Sequence, residues 1–188
     1  MKGEKTMIIT LKDGSKKEYA DAKAVIDIAY DISEGLARAA CAGEVNGEVV
    51  DLRTVLDSDC ELNILTAKDE KGLAVLRHTA SHVMAQAVQN LYPEAKVAIG
   101  PSIDTGFYYD FDHEPFSRED LDAIEKEMKK IIKKGAKIER FTKSREDAIA
   151  YFKEKNEPYK VELIEDLPEG EEISFYSQGD WTDLCAGP

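Results

Sequence analysis

Met7-Ile-Ile-Thr-Leu-Lys-Asp-Gly-Ser-Lys-Lys-Glu-Tyr19 is the stretch that decides the fold of the first part of this chain. Its β-branched run, Met7 to Leu11, favours a strand. Asp13-Gly14 is a strong tight-turn signal, and a second strand follows near Lys17 to Tyr19. Working outward, Val25, Ile28, Ala29, Ile32 and Leu36 recur at helical spacing and predict a helix from Ala24 to Ala40. Val45-Asn-Gly-Glu-Val-Val50 sets an Asn-Gly turn between apolar residues, a second hairpin. Leu56 to Leu65 closes with Cys60-Glu-Leu-Asn-Ile-Leu65 as the last strand. The order strand, strand, helix, strand, strand, strand, with one helix layered on one mixed sheet, predicts a β-grasp arrangement.

Beyond residue 66 the pattern changes. Thr66 to Gly72 is polar and reads as a linker or helix lead-in. Leu73 to Leu91 predicts a long helix that stops before Pro93. Its apolar stripe is Leu73, Leu76, Ala80, Val83, Ala87 and Leu91. Val97 to Phe111 reads as short strands punctuated by Gly100-Pro101 and Gly106. Ser117 is placed to cap a helix carrying Leu121, Ile124, Met128 and Ile131 and ending at Gly135. Lys137 to Phe141 predicts a strand and Ser144 to Lys155 a helix. Lys160 to Ile164 and Ile173 to Tyr176 predict two further strands. The fold class is therefore α+β throughout, with a first domain at residues 1–66 and a second at 67–188.

Composition narrows the class. The 188 residues are 43% hydrophobic, enough for a packed core, and no run reaches the roughly 18 apolar residues of a membrane span. The opening residues lack the apolar core of a secretory signal. Three widely spaced cysteines, Cys41, Cys60 and Cys185, form no disulfide framework and fit a reducing cytosol. The net charge of −13 excludes a plainly basic nucleic-acid binder, but it is uneven. Lys126 to Arg145 holds nine Lys or Arg against two Glu, a local +7. Such a block either contacts phosphates or is a solvated helix face followed by a lysine-rich turn.

Four places carry chemistry-bearing residues. His78 and His82, four apart on the long helix, lie roughly 40° apart on the helical wheel, nearly opposite the apolar stripe. A histidine pair of this kind can hold a metal or share a proton-transfer task. Cys185 is a third residue of metal-ligand type. Asp183 shares its side if Trp181-Thr-Asp-Leu-Cys185 is extended. Ile99-Gly-Pro-Ser-Ile-Asp-Thr-Gly-Phe-Tyr-Tyr-Asp110 mixes glycines and aromatics, as a tight hairpin or a stacking wall would. Lys160 is either surface solvation or a cation that positions water beside a site.

Taken together, Arg77-His-Thr-Ala-Ser-His-Val-Met-Ala-Gln-Ala87, the segment from Ile99 to Phe111, and Asp183-Leu-Cys-Ala-Gly-Pro188 resemble the amino-terminal half of bacterial-type threonyl-tRNA synthetases. The first 66 residues resemble the TGS domain of that family, and residues 67–188 its editing domain. The resemblance implies hydrolysis of serine wrongly attached to threonine tRNA. The need is physical, because one missing methyl discriminates by only about 1–3 kcal/mol in a synthesis site. Carried over residue by residue, the editing site falls on His78, His82, Tyr109, Lys160, Asp183 and Cys185. His78 and Lys160 are expected to position and activate water. His82, Cys185 and Asp183 are expected to hold the amino acid, and Tyr109 to wall the adenosine.

The family pattern continues Cys-x-Gly-Pro-His, so a fourth site residue is expected directly after Pro188, in a longer enzyme of which this is a piece. The resemblance implies editing without a cofactor or metal. It places ATP, zinc, the aminoacylation reaction and a homodimer contact in domains beyond these residues. The expected partner is threonine tRNA mischarged with serine, in the cytoplasm and away from membranes. Two other readings stand beside this one: a tRNA-binding or regulatory appendage without catalysis, and a metal-dependent hydrolase of the alanyl type.

Overall fold

The computed structural model describes residues 6–188. The chain divides into two compact units between Leu76 and Arg77. The sequence places the domain boundary after residue 66, whereas this division falls inside a helix. Lys71, in the first turn of that helix, ion-pairs with Glu44 and keeps its start with the first unit.

In the first unit, β1 (Met7–Leu11), β2 (Lys16–Tyr19), β4 (Ala40–Val45), β5 (Glu48–Val50) and β7 (Cys60–Thr66) form one sheet in the order β2-β1-β7-β4-β5. The central pair β1 and β7 is parallel and the others are antiparallel. A short pair, β3 (Lys23–Ala24) with β6 (Val55–Leu56), flanks it. Both predicted hairpins form. Asn46 and Gly47 adopt φ of 50° and 92°, the left-handed pair that a two-residue hairpin turn needs. The core is Ile9, Leu62 and Ile64 from the sheet against Val25, Ile28 and Ala29 of helix α1 (Val25–Ile32). The expected single helix from Ala24 to Ala40 is instead two. Ser33 is extended, and its hydroxyl accepts from the amide of Leu36 to start α2 (Glu34–Ala39). Serine competes with the helix for its own backbone bonds and is stronger as a cap than inside.

Helix α3 (Glu70–Leu91) leads into the second unit. Two short antiparallel pairs follow: β8 (Lys96–Val97) with β11 (Phe111–Asp112), and β9 (Ser102–Ile103) with β10 (Gly106–Phe107). Helix α4 (Arg118–Lys134) has the expected ends. Ser117 and Asp120 form a reciprocal capping box, and Gly135 closes it at φ 59°. Val83, Ala87 and Val88 of α3 pack on Ile124 and Ile131 of α4. A three-stranded antiparallel sheet, β12 (Ile138–Lys143), β13 (Ile173–Gln178) and β14 (Trp181–Leu184), is covered by α5 (Arg145–Glu154) and α6 (Pro158–Asp166) around Phe152, Ile164 and Phe175.

Two expectations need correction. Lys160 to Ile164 is not a strand but the body of α6. Its alternation of polar and apolar residues imitates a strand. Pro158 at the helix start and the burial of Lys160 and Ile164, four residues apart, fit a helix instead. The α3 stripe is also narrower than expected, because Leu76 and Leu91 are 45% and 38% exposed. Small residues, Ser81, Ala85 and Ala87, are fully buried there and let neighbouring elements approach α3 on more than one side. Among the described residues no helix is long and apolar enough to cross a membrane.

Candidate functional site

Four separate elements bring the site residues together. Helix α3 presents His78 and His82 one turn apart. Lys160 comes from α6, Tyr109 from the segment joining β10 to β11, and Asp183 and Cys185 from β14 and the residue beyond it. Leu184 lies between them, so Asp183 and Cys185 leave the chain on the same side, as an extended segment requires. All six residues singled out in the sequence converge on one place.

At its open side, Nε2 of His82 and Nε2 of His78 face each other at 3.2 Å, and Sγ of Cys185 lies 3.5 Å from Nε2 of His78. Behind them sits a buried knot. Nζ of Lys160 is 2.8 Å from Oδ1 of Asp183 and donates to the Tyr109 hydroxyl at 2.8 Å. The Tyr109 hydroxyl in turn donates to Oδ2 of Asp183. That same Oδ2 is 3.1 Å from Nδ1 of His82, but off the line an N–H bond requires, so the two meet as charges rather than as an aligned hydrogen bond. Lys160 and Asp183 are 2% and 1% exposed, so they work from behind the histidines and not on the surface. Tyr109, expected to wall the adenosine, is likewise buried. One face of its ring is so close to Gly100 that a Cβ there would lie 2.0 Å from Cδ2 of Tyr109. Only glycine fits at position 100.

Charge is set by these contacts. Burial pushes the Asp183 carboxyl up, but the Lys160 ammonium and His82 overcome it and hold the group down at about 2. Burial also works against the charged form of His82. Asp183 and Cys185 outweigh it and raise the imidazole to about 9. The Cys185 thiol, which burial alone would raise, is brought down to about 6 by hydrogen bonds from His78 and His82. Burial, then the neighbouring Asp183, drives Tyr109 well above its ordinary value, so it stays a phenol and a donor. Near neutral pH the site therefore holds an imidazolium–thiolate pair, His82 and Cys185, beside His78.

Residues that sequence reasoning did not single out support this arrangement. The Ser81 hydroxyl lies 2.7 Å from the carbonyl oxygens of both His78 and Gly100, tying the helix to the glycine turn. Trp181, whose ring centre is 5.8 Å from that of His82, donates from Nε1 to Gln89. Gln89 donates to Glu157, and the other oxygen of Glu157 accepts from the amide of Val97. The one signal for this network in the sequence is a lone Trp close to the Asp183–Cys185 motif. The basic segment is partly engaged within the fold: Lys129 and Lys130 pair with Glu125 and Glu127, and Arg140 with Glu172. Arg145 holds the carbonyls of Leu167 and Pro168. Lys133, Lys134 and Lys137 are exposed.

Residues 7–66 match the TGS domain family. The chain is 65% identical over 181 residues, 96% of its length, to a threonine–tRNA ligase of Acetivibrio thermocellus. It is 58% identical over 185 residues, 98% of its length, to that of Caldanaerobacter subterraneus subsp. tengcongensis. It is 60% identical over 181 residues to that of Clostridium botulinum strain Hall. The chain spans 28–29% of the length of these relatives. With a TGS domain at its start and this identity along nearly its whole length, the chain belongs to the bacterial threonyl-tRNA synthetase family and corresponds to that family's amino-terminal region.

Proposed function

We propose that the second domain is an editing hydrolase that removes serine from mischarged threonine tRNA. The observation that carries this reading is the convergence of His78, His82 and Cys185 in front of the Lys160–Asp183–Tyr109 knot. The substrate is an ester between serine and the terminal ribose. Its α-ammonium group suits the Cys185 thiolate. His78, not claimed by the carboxylate, takes the proton of a water that attacks the ester carbonyl. The His82 imidazolium, fixed by Asp183, faces the charge that develops on the carbonyl oxygen. The electron pair of the breaking C–O bond leaves on the ribose oxygen, which recovers the proton from His78. Lys160 and Tyr109 act through Asp183 as positioning residues.

Threonine tRNA is the proposed partner, with Lys133, Lys134 and Lys137 as phosphate contacts on the second domain. The ligase reaction named in the relatives, with its ATP and zinc, is proposed to belong to other parts of the family's longer chains. The test is single-turnover deacylation of serine-charged threonine tRNA by this chain and by a form continued past Pro188. Serine release that disappears in His78→Ala supports the reading. Release at the wild-type rate in that variant removes His78 from the mechanism. Tight tRNA binding without any release favours the appendage reading.

A further inference from the structure

Beside the site, one chain of hydrogen bonds runs in a single direction. The indole N–H of Trp181 donates to Oε1 of Gln89 at 2.7 Å, and Nε2 of Gln89 donates to Oε1 of Glu157 at 2.6 Å. The backbone N–H of Val97 donates to Oε2 of Glu157 at 3.1 Å. An indole N–H and a backbone N–H can only donate, so both ends of the chain are fixed. Gln89 must turn its oxygen to Trp181 and its amide nitrogen to Glu157, and position 157 must meet two donors. A carboxylate does so with one oxygen each, whereas an amide would set an N–H against one of them. Glu157 is 6% exposed, and burial pushes its carboxyl up against the opposing pull of the Val97 and Gln89 bonds, Lys96 and Lys160. It stands at the N-cap of α6, yet its side chain caps no amide there. The carboxylate is turned to α3 and β8 instead.

The chain links the same two elements as the buried Lys160–Asp183 pair. Glu157 precedes Lys160 by about one helical turn, and Trp181 precedes Asp183 by two residues on one face of β14. Glu157, Gln89 and Trp181 thus tie α6 to β14 through α3, alongside the direct contact of Lys160 with Asp183. We propose that Glu157 and Gln89 are positioning residues for the hydrolase site, whose bonds hold α6 and β14 at the spacing that keeps Lys160 and Asp183 behind His82. The effect on rate rests on the editing reading above. Neither residue touches the ester; both act through Trp181 and the buried pair.

The test is a double-variant cycle in the form continued past Pro188. Glu157→Gln sets an amide N–H against a donor, and Gln89→Glu sets two carboxylates face to face. Each should lower the maximal single-turnover rate of serine release about 10- to 10²-fold, with the tRNA concentration for half-saturation unchanged. In Gln89→Glu/Glu157→Gln the two roles trade places. Position 89 then offers one oxygen to Trp181 and the other to the amide at position 157, whose oxygen accepts from Val97. The exchange gives up the 3.4 Å contact from Gln89 to the Ala95 carbonyl, and it should still release serine faster than either single variant. The indole N–H resonance of Trp181, the single tryptophan, should be protected from solvent exchange in the wild type and the exchanged form and exposed in the single variants. Gln86→Ala is the control. It cuts the bond from Gln178 to Gln86, which ties β13 to α3 without reaching α6, and should lower the urea midpoint but leave the rate near wild type. Gln89→Met, which keeps the bond between Glu157 and Val97, replaces a single variant that does not fold and should show the same loss. Folded single variants at the wild-type rate, or an exchanged form no faster than they are, overturn the proposal. An equal rate loss in Gln86→Ala overturns it too, because the chain would then be a general brace. A wild type that never hydrolyses the ester refutes the editing reading and with it the effect on rate, while the indole resonance still judges the chain of bonds.

Discussion

Lys160→Met isolates the buried pair at the centre of the site. Lys160 and Asp183 are almost without solvent, and their charged atoms are 2.8 Å apart. Removing one member of a buried pair costs about 3–5 kcal/mol, because the other charge is left in a medium that solvates it poorly. A second route gives a similar size. Asp183 is held at about 2 against an ordinary 3.8, and this difference corresponds to about 2 kcal/mol. The sign follows from the direction of the shift. A depressed carboxyl contributes stability above its unfolded value, near pH 4, and that contribution is lost as pH falls towards 2. Lys160→Met should therefore lower stability by about 2–5 kcal/mol at pH 7 and shrink the loss of stability between pH 4 and 2. Adding Asp183→Asn removes the stranded charge and should recover part of the loss. The assay is urea unfolding followed by the emission of Trp181, the single tryptophan, which lies beside His82. A loss below about 1 kcal/mol, or a double variant whose losses simply add, would refute the argument.

Gly100→Ala should destabilise the second domain by about 1–3 kcal/mol in the same assay, because its Cβ overlaps the Tyr109 ring and Tyr109 cannot retreat without leaving Asp183. Cys185 should be alkylated by iodoacetamide well ahead of Cys41 and Cys60 at pH 7, with a rate that falls as pH drops through about 6. Burial pushes both of those thiols up, so equal rates for the three cysteines would contradict the imidazolium–thiolate pair. Charge reversal at Lys133 and Lys134 should weaken tRNA binding and flatten its salt dependence, read by filter binding at several salt concentrations. Unchanged affinity would make the basic segment a solvated face.

Turn chemistry was the most legible part of the fold. Asp13-Gly14, Asn46-Gly47, the Ser117 cap and the Gly135 stop each dictate a local backbone that tertiary packing has no reason to override. The failures are places where one pattern serves two periods. Lys-Val-Glu-Leu-Ile at 160–164 alternates like a strand, yet its buried positions repeat every four residues. The strand at Trp181–Leu184 was read only conditionally, although Gly179-Asp180 between two β-rich runs is a hairpin signal. All six site residues were found through a resemblance, and the histidine pair also through helical spacing alone. What sequence could not give is depth. Nothing in the letters says that Lys160, Tyr109 and Asp183 lie behind the histidines, because depth depends on how α6 and β14 pack.

The most direct measurement compares two esters on one tRNA. Threonine tRNA charged with serine and the same tRNA charged with threonine are offered to the form continued past Pro188, in chelator, and amino-acid release is timed. The account predicts fast release of serine, slow release of threonine, and loss of serine release in His78→Ala with an unchanged Trp181 unfolding midpoint. Equal release of the two amino acids, or serine release that requires added metal, would contradict it.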